Sequence, residues 1–124
     1  MIDLHIHTNN SDGTDTVQEL LKKAEELNLE YISITDHDNC NGYEQLKKIN
    51  ISDFFSGKII PGIEIKCTYK RRTIEVLGYK INTDKMNNWM REFYKDKQRD
   101  TLQIKYFNLL YDKCKQMGLT LSEK

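Results

Sequence analysis

The chain opens on an alternation of apolar and polar positions. Ile2, Leu4 and Ile6 are separated by single polar residues, the period of a strand with one apolar face. Thr16-Val17-Gln18-Glu19 then reads as a capping box, with Thr16 as N-cap and Glu19 at the third helical position. Val17, Leu20, Leu21, Ala24 and Leu27 recur at helical spacing as one apolar stripe, and Asn28 supplies a stop. Tyr31 to Thr35 is a strand-like run, with β-branched residues at three of its five positions, and a second helix is expected from about Gly42 to Ile49. Residues 50–57 read as loop, after which Lys58 to Ile65 resumes strand character. Pro61 cannot donate to a ladder, so this strand is expected at an edge, bulged or irregular. Thr73 to Tyr79 predicts a last strand, hairpinned to the preceding one through Lys70-Arg71-Arg72.

From Asp84 the period changes to helical. Met86, Trp89, Met90, Phe93 and Tyr94, then Phe107, Leu110, Tyr111, Cys114 and Met117, recur among alternating charges, and Gly118 supplies a stop. This predicts one long helix or two in tandem, with Thr83 as N-cap and the aromatic residues packing in a core or interface.

The order β-α-β-α-β-β predicts an α/β fold with a largely parallel sheet. In such folds the carboxyl ends of the strands carry the chemistry. His5 and His7 project together where the first strand gives way to a loop, Asp36 and His37 follow the second strand, and Glu64 lies near the end of the third. Two neighbouring imidazoles make a preformed chelate suited to zinc, iron, copper or nickel. Asp12, in a turn containing Gly13, is able to fold back and add an oxygen ligand. His5, His7 and His37 are all the histidines of the chain.

Composition changes this picture little. At 124 residues the chain is one domain or part of one. Its formal net charge is zero, which removes any general attraction to nucleic acid or membrane. Residues 1–83 carry 10 basic against 13 acidic side chains and residues 84–124 carry 9 against 6, so the histidines lie in the acidic part. Cys40, Cys67 and Cys114 have no CxxC spacing, which argues for a reducing compartment and against a disulfide framework. There is no apolar run long enough to span a membrane and no signal pattern, so a cytoplasmic location is expected.

Three motifs in order, Asp3-Leu4-His5-Ile6-His7-Thr8 with Ser11-Asp12-Gly13, Ile34-Thr35-Asp36-His37-Asp38 with Gly42, and Pro61-Gly62-Ile63-Glu64-Ile65, closely resemble the PHP (polymerase and histidinol phosphatase) family. Within it the chain looks like the stand-alone phosphoesterases. The resemblance implies the N-terminal portion of a distorted (β/α)7, TIM-like barrel in residues 1–83, followed by an insertion-like helical segment in 84–124. It implies His5, His7, Asp12, His37 and Glu64 as metal ligands, with Glu64 bridging. Asp36 and Asp38, and Asp3 likewise, are expected to orient imidazoles. The implied cofactors are two or three divalent ions, manganese, zinc or iron, fewer of them here. The implied reaction is attack of a metal-activated water on a phosphate ester, in a nucleotide or a related small molecule.

Two departures from the pattern matter. Glu75 stands where relatives often place a further histidine, two residues before the Leu77-Gly78-Tyr79 element, and is carried here as a candidate ligand. The family's later ligands have no counterpart after residue 80, so the chain is expected to be about half a domain, and inactive in isolation. The other readings are a histidinol-phosphatase-type enzyme, a non-catalytic metal-binding module, or an interaction module built on the aromatic helix. A partial barrel also leaves an unpaired sheet edge, from which a homo-oligomer is expected, through that edge or the C-terminal helix.

Overall fold

The computed structural model describes residues 1–95 and 98–118, with side chains placed outside residues 96–106. Strand β1 (Ile2–Ile6) leads through helix α1 (Val17–Glu26) to β2 (Tyr31–Ile34). Helix α2 (Asn41–Leu46) and a 3₁₀ turn at Ile51–Asp53 lead to the short β3 (Lys58–Ile59). Strands β4 (Gly62–Tyr69) and β5 (Arg72–Tyr79) follow, then α3 (Thr83–Lys95) and α4 (Gln98–Gln116). Residues 119–124 of the expected helical segment lie outside the described residues.

The parallel α/β arrangement is present as an open three-stranded sheet in the order β1-β2-β3, with β2 central. Position explains its burial: Ile32, Ser33 and Ile34 are buried, whereas Ile2 on the edge strand is 59% exposed. The stripe on α1 packs as its spacing predicts. Val17, Leu20, Leu21 and Ala24 are buried, and only Leu27 departs from the expectation, because it is the C-cap and stands in solvent. Asn28 takes the left-handed conformation (φ 53°). The amide of Asn28 donates to the Glu25 carbonyl and that of Leu29 to the Ala24 carbonyl, the paired bonds of a Schellman stop.

The strand expected from Lys58 to Ile65 is broken at Ile60-Pro61 into β3 and β4, and the two halves join different sheets. Beyond the break, β4 runs alongside the segment after β2. The Glu64 amide donates to the Asp36 carbonyl at 3.2 Å and the Asp38 amide to the Glu64 carbonyl at 2.9 Å. Tyr43 braces this turn, donating its hydroxyl to the Ile34 carbonyl (2.7 Å) and accepting from the Gly62 amide (2.9 Å).

The helical segment is two helices, and the cap of α3 is Asn82 rather than Thr83. The Asn82 side-chain oxygen accepts from the Lys85 amide at 2.9 Å, so the helix begins at Thr83. Two compact units result, Met1–Arg91 and Glu92–Lys124, with the boundary inside α3. The first turns of α3 are tied to the sheet unit by Asn87, which is buried, accepts from the Cys40 amide and donates to Asn41 and Glu44. Arg91 adds an ion pair to Glu44 at 2.9 Å. In the second unit Phe93, Phe107, Leu110 and Met117 of the expected apolar series are exposed, as is Leu109.

Candidate metal centre

Each histidine stands where a strand ends. His5 is in β1 and His7 one residue beyond it, and His37 follows β2. A tight loop then returns Asp12 to the histidines. The Ser11 and Gly13 amides both donate to the Thr8 carbonyl, at 3.1 and 3.0 Å, and the Asn9 amide donates to the Asp15 carbonyl at 2.9 Å. At residue 13 only glycine fits: an added Cβ would lie 2.4 Å from the His7 carbonyl oxygen.

Glu64 projects from β4 into the imidazoles. Its Oε2 accepts from His5 Nε2 at 2.9 Å and lies 3.1 Å from His7 Nε2 and 3.7 Å from His37 Nδ1. Asp12 closes the other side, 3.1 Å from His37 Nε2 and 3.5 Å from His7 Nδ1. The His7 and His37 rings stack with centroids 4.5 Å apart. Glu75 in β5 approaches His37 Nδ1 at 4.0 Å. The six expected ligands therefore fall into three overlapping groups: His5, His7 and Glu64; His7, Asp12 and His37; and His37, Glu64 and Glu75. Burial opposes ionisation of Glu64, but the His5 hydrogen bond and the charges of His5, His37 and His7 outweigh it and hold the carboxyl below its usual value.

These residues fit a divalent cation on two grounds. His7 Nδ1 is buried without a hydrogen-bond partner among the described residues, a state a metal ligand relieves. The mixed imidazole and carboxylate donors also suit manganese, iron or zinc.

Asp36 and Asp38 do a different job from the one the resemblance implied. Asp36 is buried and accepts from the Thr8 amide (2.7 Å), the Thr8 hydroxyl (2.6 Å) and the Ser11 hydroxyl (2.6 Å). It holds the loop that carries Asp12, and no imidazole bonds to it among the described residues. Asp38 has φ 55° and accepts from the Lys66 amide at 3.0 Å, which fixes β4. Asp3 accepts from the His5 backbone amide at 3.1 Å, not from its ring. Asp3 and Asp38 thus accept from backbone amides beside the cluster, and Asp36 from one amide and two hydroxyls. Sequence reasoning missed Thr8 and Ser11 as the partners of Asp36, although each is next to an expected ligand position. It also missed Tyr79, whose hydroxyl donates to the Leu4 carbonyl at 2.8 Å and ties β5 to β1.

Mixed-ligand clusters at the strand ends of an α/β sheet define a class, the α/β domains built around a metal-type centre. The PHP domain family model matches residues 3–118, and the chain belongs to that family. Among curated relatives, the 5'-3' exoribonuclease Rnm of Salmonella typhimurium is 32% identical over 91 residues, covering 73% of this chain and 30% of the relative. The phosphoribosyl 1,2-cyclic phosphate 1,2-diphosphodiesterase of Eggerthella lenta is 30% identical over 78 residues, covering 61% of this chain and 29% of the relative. The chain thus spans about 30% of the length of these relatives. A solved structure described as a candidate metal-dependent phosphoesterase from Bifidobacterium adolescentis superposes with a TM-score of 0.66 at 24% identity, over 81% of this chain and 35% of the other. An amidohydrolase from Chromobacterium violaceum gives 0.64 at 24% identity, over 73% and 32%. These two likenesses concern the fold.

Proposed function

We propose that the chain carries the N-terminal ligand set of a metal-dependent phosphoesterase, acting on a nucleotide or a related phosphate ester. The convergence of His5, His7, Asp12, His37, Glu64 and Glu75 into three groups with shared members carries this reading. It is supported by relatives whose names describe hydrolysis of RNA and of a cyclic phosphate diester. Two or three divalent ions, when bound, acidify water and neutralise phosphoryl charge. The residues of this chain hold and aim them. Glu64, shared by two of the groups, would hold the ions of both, and its lowered pKa keeps it ionised. Asp36 keeps the Asp12 loop closed, and Asp38 keeps β4 in register with His37. Because the chain spans about 30% of its relatives' length, the remaining ligands and most substrate contacts of such a barrel belong to further residues. The isolated chain is therefore proposed to bind metal with little turnover, and to self-associate through the β1 edge or the C-terminal helix.

Metal per chain, by elemental analysis of protein purified without chelator or nickel, tests the centre. One or two ions are expected, lost in the His5→Ala, His7→Ala double variant. Equal metal in both proteins would sink the assignment. Release of nitrophenol from bis(p-nitrophenyl) phosphate with manganese, iron or zinc tests the reaction. Turnover matching a complete enzyme would contradict the incomplete-site reading, and a monomeric mass by light scattering would contradict self-association.

A further inference from the structure

The β4–β5 hairpin separates charge along its length. Glu64 and Glu75 lie toward its base, in the ligand cluster. Residues 66–72 read Lys-Cys-Thr-Tyr-Lys-Arg-Arg, four cations and no acid, in a chain whose net charge is zero. Lys66, Lys70, Arg71 and Arg72 are all exposed. The lysine and arginine ion pairs of the described residues involve Lys23, Lys47, Arg91 and Lys95, so the four hairpin cations have no carboxylate partner there.

Register gives the patch a direction. Glu64, Lys66 and Thr68 share one face with Thr73, Glu75 and Leu77. Tyr69 and Arg72 close the ladder on the opposite face, and Lys70-Arg71 forms the turn beyond them. Tyr69 is 62% exposed with Lys70 over its ring, 5.3 Å from the centroid. From Glu64 to Tyr69 is five steps of about 3.4 Å, roughly 17 Å. A mononucleotide at the cluster stops short of that tip, whereas a strand of several nucleotides reaches it.

We propose that this hairpin binds single-stranded nucleic acid. Backbone phosphates meet Lys70 and Arg71 at the turn, an unpaired base stacks at Tyr69 with Arg72 beside it on one face, and the strand crosses the tip to Lys66 and the His5–Glu64 cluster on the other. Interleaved cations and an exposed aromatic are the combination that single strands select, since every base has a stacking face and every linkage a charge. The last element of the proposal, delivery to the cluster, rests on the hydrolase reading. The binding itself does not.

The test is fluorescence anisotropy of the full chain with a labelled oligouridylate of a dozen nucleotides, in EDTA so that no turnover intervenes. Binding at low salt is expected. The Lys70→Gln, Arg71→Gln, Arg72→Gln triple variant is expected to weaken it by about tenfold or more and to flatten the log–log salt slope by about 1.4, for two lost phosphate contacts at roughly 0.7 each. Tyr69→Ala is expected to weaken oligouridylate about fivefold or more while leaving inorganic polyphosphate unchanged. Far-UV circular dichroism checks that each variant is folded, and Arg71→Lys should retain binding. No binding by the native chain, or a triple variant that binds like it, overturns the proposal. So does a Tyr69→Ala effect that is absent or equal for polyphosphate, which would make the tip a general anion patch. Oligouridylate binding by a chain that takes up no divalent metal counts against the hydrolase reading and leaves the hairpin assignment standing.

Discussion

Asp36 accepts three hydrogen bonds from Thr8 and Ser11 in a buried site, and that satisfied cluster fixes where Asp12 can be. An Asp36→Asn change keeps the shape but turns an acceptor into a donor facing donors. It is expected to cost about 1–3 kcal/mol, read by urea denaturation, and to weaken metal binding through the loosened loop. An Asp36→Asn variant as stable as the parent would remove the clamp from the account. Cys40 is a second residue whose behaviour follows from its surroundings. Burial, with Asp36 and Glu44 nearby, pushes its thiol up to about 12, so it is a packed group and not a nucleophile. Iodoacetamide should leave Cys40 unmodified in the native protein and label it after unfolding, as peptide mass spectrometry will show. Labelling of the folded chain would contradict its burial. The members of the cluster were legible in the sequence, the histidines and Asp12 from residue type and position after a strand, and Glu75 from the family resemblance. The partners of Asp36 were not, since they lie 25 and 28 residues away and meet only when the loop closes.

Elements were most legible where local interactions specify them. α1 has its capping box, stripe and Asn28 stop within one short stretch, and all three form, with Leu27 alone leaving the buried stripe. The β4–β5 hairpin is equally local, yet its turn is made of residues poorly suited to it. Lys70 and Arg71 both have positive φ, 46° and 63°, in a two-residue connection of the kind that favours Asn-Gly. Left-handed backbone costs a non-glycine residue about 1 kcal/mol. The Lys70→Asn, Arg71→Gly variant is therefore expected to gain about 1 kcal/mol in denaturant unfolding. The same variant should lose oligouridylate affinity, because the strained pair is part of the basic tip. A variant that gains no stability would show the strain to be relieved elsewhere.

At the scale of the whole molecule, α2 and α3 are joined by Glu44, whose carboxyl is held below its usual value by hydrogen bonds from Asn87 and Arg91. The sign of the pH effect follows. The unfolded chain binds this proton more readily, so the contribution to stability is present above the ordinary carboxylate value of 4.5 and is lost as pH falls through the lowered one. Acid titration of the unfolding midpoint should show a shallower acid limb in Glu44→Gln than in the parent. Identical limbs would mean the α2–α3 contact does not depend on this charge. Among the described residues no helix is long and apolar enough to cross a membrane, as the lack of a long apolar run predicted.

The sequence by itself determined the parallel α/β arrangement, the α1 helix with both its ends, the hairpin position and the histidines and Asp12 of the cluster. These depend on period, on capping within a few positions and on ligand chemistry, all of which are local. Tertiary structure alone decided the attachment of the first turns of α3 through Asn87 and the partners of Asp36 and Asp38. Each of these depends on which backbone group a polar side chain finds across space. A linear pattern does not contain that choice, because an unpaired buried group costs the same whichever partner would have satisfied it.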